Sequence, residues 1–247
     1  MLQVSGLSVE VGGRLLVENV SFTIMPKDKV GLVGRNGAGK TTTFRTLGGE
    51  LEPAAGKILR KGGFGYLSQD PRIEGVLDTR PAITHVLSGR QIDEQLDRIE
   101  KLRVAMEADP NERNVARFSR AQDEFSSSGG YAAESEARSI MAGLGLPTDR
   151  MDLPIGVLSG GEKTRLALAS LVVSSANVLL LDEPTNNLDP ASREEILRAL
   201  STFTGAVVLV SHDVGAVLAL NPERVLILPD GDEDHWNDGY ADLISLS

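Results

Sequence analysis

The chain has 247 residues, of which 41% are hydrophobic, a net charge of −10 and no cysteine, so it can bury a sizeable core while disulfides and thiolate sites are excluded. The acidic balance argues against holding nucleic acid by bulk electrostatics, because phosphate binding draws on clustered lysine and arginine. The longest apolar runs, 178–181 and 206–210, are far shorter than a membrane span and no signal-peptide pattern is present, so we expect a soluble, cytoplasmic protein without membrane insertion.

The first part of the chain is rich in strand patterns. The alternating segments LQVSGLSVEV and LLVENVSFTI flank Gly12 and Gly13, which predicts a β-hairpin. The apolar run KVGLV then leads through a glycine-rich turn into the helix TTTFRTL, and GKILRKGGFGYLSQ predicts two further short strands. We therefore expect an antiparallel β subdomain in this part of the chain.

The rest of the chain begins with helical periodicity and returns to strands. Helical spacing runs from about residue 80 to 145, with breaks at Pro110 and at 126–130. After the helix LSGGEKTRLALASLVVSS, the strands NVLLLD, AVVLVS and RVLILP alternate with helices, and the tail DGDEDHWNDG is acidic and turn-rich. Buried strands separated by helices predict an α/β fold with a mostly parallel core sheet covered on both faces.

The segment GRNGAGKT fits the pattern G-x-x-x-x-G-K-[ST] and stands between an apolar strand and a helix. Glycines there turn backbone N–H groups toward phosphate oxygens, and the helix N-terminus adds the positive end of its dipole. Lys40 can then reach the β- and γ-phosphates, and Thr41 can hold Mg²⁺. A turn without a ligand is the structural alternative. We predict nucleotide binding by Gly34, Asn36, Gly37, Ala38, Gly39, Lys40, Thr41 and Thr42.

Two adjacent acids, Asp182 and Glu183, end the apolar strand NVLLLD, at the edge where ligands of open α/β sheets gather. Asp182 suits the Mg²⁺ shell, and Glu183 suits a carboxylate that polarises the attacking water. His212 follows the next strand, in VVLVSHD, and is placed to touch a γ-phosphate. Solvated surface acids and a structural histidine are the alternatives.

The segment LSGGEKTRLALA resembles the signature sequence of ATP-binding cassette (ABC) ATPases. The family's other motifs stand around it in order: the Walker A loop, the Q-loop glutamine, the Walker B acids, the D-loop and the switch histidine. The resemblance covers essentially the whole chain and implies a P-loop fold, ATP and Mg²⁺. It assigns the Q-loop to Gln69, as a catalytic residue and magnesium ligand, and the D-loop to NNLD, which ends at Asp189.

The resemblance also implies an ATP sandwich, in which a second cassette completes the site. Ser159, Gly160 and Gly161 of one cassette would cap the γ-phosphate held by another, since the start of a helix is an anion site. One position departs from the family pattern. Val11 stands where an aromatic residue usually stacks on adenine. Apolar contact would replace stacking there, and the choice between ATP and GTP stays open.

The 89 positions from Gln69 to Leu158 (158 − 69 = 89) exceed what transporter cassettes carry between these motifs. Ile92, Leu96, Ile99, Leu102 and Met106 form one apolar helical stripe, and a second, weaker stripe consists of Val115, Phe118, Gln122 and Phe125. The short break ADPNER separates them, which predicts an antiparallel helical hairpin at about 90–128. Its acids and bases are mixed along the sequence, so no strong RNA-binding stripe is evident.

The insert, with GGYAAESEARSIMAGLGL and EPTNNLD, is similar to the ABC-F proteins, whose usual histidine before Leu-Asp is here Asn187. That group consists of cytoplasmic ATPases that act on ribosomes with two cassettes joined by a linker, and the inserted hairpin is its arm. The resemblance implies the N-terminal cassette of a tandem protein or a separately made domain. Its partners would be a second cassette and ribosomal RNA, tRNA or ribosomal protein.

We expect one ABC ATPase domain over 1–247, with an ATP-binding core and β subdomain at 1–79 and 146–247, and a helical subdomain at 80–145. The expected function is ATP hydrolysis coupled to ribosome-associated work in translation or antibiotic resistance. The alternatives are the soluble ATPase subunit of a transporter and a non-hydrolysing regulatory module. A hairpin that only packs on its own domain is the structural alternative for the insert.

Overall fold

A computed structural model describes residues 1–68, 79–174, 176–186, 188–237 and 239–240. By its internal contacts the chain divides into two compact units, Met1–Arg72 with Ser175–Ser247, and Ile73–Ser174. In chain order the elements are β1 (Leu2–Val11), β2 (Arg14–Ile24), β3 (Lys29–Gly34), α1 (Lys40–Gly48), β4 (Ala55–Arg60), β5 (Phe64–Leu67), α2 (Ala82–Ser88), α3 (Ile92–Ala108), α4 (Glu112–Ser127), α5 (Gly130–Gly143), α6 (Gly160–Val173), β6 (Val178–Asp182), α7 (Pro190–Thr202), β7 (Ala206–Val210), α8 (Val214–Leu220), β8 (Arg224–Leu228) and β9 (Asp232–His235), with short 3₁₀ turns at Thr148–Arg150 and Ile155–Val157.

The first unit contains an antiparallel sheet with the order β2-β1-β4. Gly12 and Gly13 both have positive φ, 59° and 81°, as a two-residue hairpin turn of the primed type requires. This turn makes Val11 and Arg14 the last pair of the β1–β2 ladder. The predicted hairpin and antiparallel β subdomain are confirmed.

A second sheet of the same unit has the order β5-β6-β7-β3-β8-β9. All its strand pairs are parallel except β8–β9, so the mostly parallel core sheet is confirmed. Strand β9 lies in the tail that we predicted to be turn-rich. Its sequence DEDH has no apolar alternation, and every side chain is exposed. Backbone pairing with β8 forms this strand, and its charges suit a solvent-facing sheet edge.

Both sheets of the first unit share one apolar core. Every residue of β6 and β7 is buried, as expected of strands covered on both faces. Strand β1 instead alternates, and Leu2 and Val4 face the core. Phe44 and Leu47 of α1 are fully buried in the same cluster. Burial of these apolar residues therefore packs α1 against the sheets, and α1 starts after the carboxyl end of β3.

The second unit is helical. Helices α2, α5 and α6 pack on one another, and α3 packs along α4 as the predicted antiparallel hairpin. Near the base of this hairpin Ile92, Ala121 and Phe125 are buried, whereas Leu96 and Val115 are exposed. The predicted breaks lie between α3 and α4 and between α4 and α5, and a further break at 89–91 was not predicted. The division by contacts differs from the predicted one at 146–174, because α6 packs with α2 and α5.

Among the helices that the structure describes, none is long and apolar enough to cross a membrane.

The close approach of two backbones at Gly56 gives a test of this packing. A Cβ there would overlap the Gly6 carbonyl and lie 2.7 Å from the Leu7 nitrogen, at a φ of 91°. We expect Gly56→Ala to lower the free energy of unfolding by about 3 kcal/mol, since neither backbone group can move away. A Cβ at Gly12 would have no neighbour within 4 Å. Gly12→Ala should therefore lower the free energy of unfolding by only about 1 kcal/mol, through φ strain. Urea unfolding measures both, and equal midpoints would contradict the prediction.

Candidate nucleotide-binding site

The loop between β3 and α1 is shaped by backbone geometry that only glycine tolerates. Gly39 has a φ of 87°, and a Cβ on it would lie 3.0 Å from the Leu16 Cβ. A Cβ on Gly34 would lie 2.8 Å from the Leu228 carbonyl oxygen. The loop thus turns tightly between β3 and α1, and the first N–H groups of α1 stand at its end. This is the arrangement that binds phosphate in P-loop proteins.

The Lys40 side chain folds back over the loop. Its Nζ donates a hydrogen bond of 2.7 Å to the Gly34 carbonyl oxygen. Partial burial lowers the pKa of Lys40, and the nearby acids Glu183 and Asp182 oppose that shift. The ammonium group is therefore held inside the site, beside the place where phosphate oxygens would lie.

An open cleft of about 480 Å³ brings residues of the hairpin together with the loop. Its predicted lining residues are Val11, Asn36, Gly37, Gly39, Lys40, Thr41, Thr42 and His212. Its lining also includes Arg14, Leu16 and Arg35, which the sequence analysis missed. Arg14 is the ladder partner of Val11, so the predicted hairpin register already carried that signal. Arg35 occupies a variable position of the loop pattern, where the pattern carries no information.

Asp182 ends β6 with a fully buried carboxylate. The Thr41 side chain approaches it, but neither carboxylate oxygen accepts a hydrogen bond of ordinary length and angle from a described residue. Burial raises the pKa of Asp182 to about 6, with a smaller contribution from Glu183. Buried carboxylate oxygens without a partner fit a cation.

The oxygen donors at Asp182 are compatible with Mg²⁺. No group of three or more His, Cys, Asp or Glu side chains that could hold a metal occurs within the described residues. Mg²⁺ usually takes one or two protein oxygens and completes its shell with phosphates and water. Asp182 and the Thr41 hydroxyl fit such a site.

Glu183 adopts a left-handed backbone conformation, with a φ of 51°, which is rare for a residue with a side chain. Its amide donates to the Val210 carbonyl at 2.9 Å. Its carboxylate Oε2 accepts from the His212 amide at 3.1 Å and from the Ser211 hydroxyl at 3.3 Å. Oε1 lies 3.3 Å from the His212 Nε2. Burial raises the pKa of Glu183, which suits a carboxylate that accepts a proton from water.

The remaining predicted residues lie elsewhere or are not described. Ser159 begins α6 in the second unit with a capping box, in which its amide donates to the Glu162 Oε2 at 2.7 Å. Ser159 and Gly160 are exposed at this helix N-terminus, and Gly161 is half-buried. Asp189 is the N-cap of α7 and accepts from the Ser192 amide at 3.0 Å. Gln69 and Asn187 lie outside the described residues, and Ala38 is a buried residue of the loop.

A protein-family model described as "ABC transporter" matches residues 17–186 of the chain. The tylosin resistance ATP-binding protein TlrC of Streptomyces fradiae is 34% identical over 99% of this chain and 45% of its own length. The putative ATP-binding protein YdiF of Bacillus subtilis is 35% identical over 86% of this chain and 34% of its length. The probable ATP-binding protein YheS of Escherichia coli K12 is 32% identical over 98% of this chain and 33% of its own length. The chain thus spans between a third and a half of these relatives.

Solved structures share the fold at lower sequence identity. A dimeric post-hydrolysis state of the ATP-binding cassette MJ0796, bound to ADP and Pi, matches with a TM-score of 0.65 and 21% identity over 96% of this chain and 99% of that one. The ATP-binding subunit of an ABC transporter matches with a TM-score of 0.69 and 19% identity over 100% and 94% of the two chains. These likenesses support the fold alone.

The buried Asp182 carboxylate predicts a pH-dependent stability. The folded pKa, about 6, exceeds the ordinary value of 3.8, so the unfolded chain ionises first and the folded protein loses stability as pH rises from about 4 to 6. In chelator, Asp182→Asn should raise the free energy of unfolding at pH 7.5 by about 1–3 kcal/mol, and by less at pH 5. Urea unfolding at both pH values checks this, with Glu52→Gln as the surface control. A loss of stability at pH 7.5 would contradict it.

Proposed function

The chain belongs to the ATP-binding cassette family, and on this basis we propose that it hydrolyses ATP with Mg²⁺ in a site that a second cassette completes. As an ABC cassette it binds ATP or ADP. The observation that carries the proposal is the convergence of the phosphate-binding loop, Asp182 and Glu183 at one edge of the parallel sheet. This is the set of groups that phosphoryl transfer to water needs.

The loop residues would hold the triphosphate. Backbone N–H groups of Gly37, Gly39 and the start of α1 would bind phosphate oxygens, and Lys40 would exchange its hydrogen bond to Gly34 for the β- and γ-phosphates. Val11, Arg14 and Leu16 line the same cleft and would contact the base or sugar. Thr41, Asp182 and Gln69 would hold Mg²⁺. The chemistry that Mg²⁺ supplies when bound is neutralisation of phosphate charge.

Glu183 is the proposed base. Its pKa is raised by burial. Its Oε2 accepts hydrogen bonds from Ser211 and His212, and its Oε1 lies beside the His212 imidazole. Glu183 would accept a proton from water as the water attacks the γ-phosphate, and His212 would contact the phosphate oxygens. Ser159, Gly160 and Gly161, at the exposed start of α6, would cap the γ-phosphate held by the second cassette, and the matching segment of that cassette would cap the γ-phosphate bound here.

Replacing the proposed base separates binding from hydrolysis. We expect Glu183→Gln to bind ATP with at most a twofold change in Kd and to lose about 100-fold or more in turnover, because the amide cannot accept the proton. ATP should then hold two cassettes together, which light scattering measures. Glu194→Gln, at an exposed position of α7, is the matched control. Turnover within twofold of wild type in Glu183→Gln would eliminate the base assignment.

The proposed cellular role is ATP-dependent work on the ribosome, as in ABC-F proteins. Homologues of this type include TlrC, which is a tylosin resistance protein, and the chain carries the α3–α4 hairpin. The transporter-subunit alternative needs a membrane partner instead. Co-purification with membrane proteins, in place of ribosomes, would favour that alternative.

The hairpin has a charge distribution that the sequence did not reveal. On α3, Arg103 is neutralised by Glu100 and Glu107, at 2.6 and 2.5 Å. Arginines of α4 recur at helical spacing and make no ion pair with any described residue: Arg113, Arg117 and Arg120. The α3–α4 groove is lined by the four bases Arg98, Lys101, Arg117 and Arg120 and by the two acids Glu94 and Asp97, so bases outnumber acids there. We propose that this face of the arm contacts ribosomal RNA, because phosphates recruit clustered cations.

The arm proposal is tested by sedimentation of the native full-length protein with ribosomes, using Glu183→Gln and ATP. Adding Arg113→Ala, Arg117→Ala and Arg120→Ala should weaken ribosome binding by on the order of tenfold and reduce its salt dependence. Arg103→Ala, in the same hairpin but already neutralised, is the control and should bind normally. Equal loss in both variants would contradict a specific role for the α4 face.

A further inference from the structure

The carboxylate of Glu183 is held by a segment from another part of the chain. Ser211 and His212, which follow β7, both donate hydrogen bonds to its Oε2. A φ of 51° at Glu183 is strained for a residue with a side chain, so surrounding contacts must hold it in place. The place of the carboxylate therefore depends on what fixes residues 211–213.

Asp213 fixes that segment through both of its carboxylate oxygens. Oδ1 accepts from the Gly215 amide at 2.8 Å, which caps α8. The Asp213 amide donates to the Ser211 hydroxyl at 3.0 Å. That hydroxyl in turn donates to the Glu183 Oε2. Asp213 is thus one residue from His212 and one hydrogen bond from the group that holds Glu183.

Arg193 binds Asp213 in a two-point ion pair. Its Nε donates to Oδ2 and its Nη2 to Oδ1, each at 2.6 Å. This pairing lowers the pKa of Asp213 and has the planar fork geometry that lysine cannot reproduce. A Cβ at position 215 would overlap the Arg193 guanidinium, so Gly215 keeps the space that the pair occupies.

Arg193 belongs to the first turn of α7, which begins at Pro190 and has Asp189 as its N-cap. The Arg193 amide donates to the Asp189 carbonyl at 2.9 Å, so a displacement of Asp189 moves the backbone of Arg193. The structure contains a continuous chain of contacts from Asp189 through Arg193, Asp213 and Ser211 to Glu183. All of these residues lie in the first unit.

We infer that Arg193 is a positioning residue for ATP hydrolysis, which couples the start of α7 to the Glu183 carboxylate through Asp213. The inference rests on the proposed ATPase function. Arg193 is not among the residues that line the cleft, so its loss should act on the rate of the chemical step and leave nucleotide binding intact.

The experiment compares variants of the native full-length protein in ATP turnover, ATP binding and thermal unfolding. We expect Arg193→Ala to reduce kcat about tenfold per nucleotide-binding site, with the Kd for ATP within twofold of wild type. Arg193→Lys should recover part of the rate, because it keeps one charged hydrogen bond. Arg198→Ala, on the same helix with exposed ion pairs of 3.8 and 3.6 Å to Glu194 and Glu195, is the matched control and should keep full kcat.

The outcomes separate this inference from the function on which it rests. Wild-type protein without ATP turnover would overturn the proposed function and the role of Arg193 with it. Active wild-type protein with an unchanged kcat per site in Arg193→Ala would overturn only the role of Arg193. A lower melting temperature with unchanged kcat per site would assign the ion pair to stability alone and would also overturn it.

Discussion

The arrangement of the site depends on two acids buried at the end of β6. An ionised carboxylate removed from water costs several kcal/mol unless partners compensate it, and burial raises the pKa of both Asp182 and Glu183. Neighbouring strand ends compensate part of this cost: the charge of Lys40, which follows β3, acts on both acids, and Ser211 and His212, which follow β7, donate hydrogen bonds to Glu183. Parallel pairing in the order β6-β7-β3 places these ends at one edge. The sheet order is therefore also the condition for the site.

The antiparallel sheet provides the other wall of the cleft. Its hairpin turn places the cross-strand pair Val11 and Arg14 beside the phosphate-binding loop. Neither is aromatic, so a base bound in this cleft would meet an apolar side chain and a guanidinium in place of a stacking ring. Both can contact the face of any purine, whereas reading the base edge needs directed hydrogen bonds. In the proposed site, phosphate binding and base selection would thus be carried by different sheets.

The second unit shows how packing can separate charges that are mixed along the chain. Along the sequence of the hairpin, acids and bases are mixed, so the mean charge does not show which charges a partner would meet. In the folded hairpin, pairs form within α3 and between Arg98 and Glu124. Arg113, Arg117 and Arg120 lie on one side of α4 and make no ion pair within the described part of the chain. Exposed ion pairs of this kind contribute little stability, so their main effect is on which charges a partner meets.

The sequence by itself determined the class of fold, the phosphate loop and the acids, because each is encoded locally. A strand–glycine–helix pattern specifies the loop at Gly34 to Thr41, and four apolar residues before Asp182 and Glu183 specify a buried strand end. The sequence did not determine the edge strand β9, because its charged residues carry no periodic signal. Nor did it determine that residues 146–174 pack with the helices of the second unit. Tertiary structure alone decided which distant groups meet: Ser211 with Glu183, and Arg193 with Asp213. These contacts join residues whose local sequence gives no sign of their partners, since they arise from sheet order and helix packing.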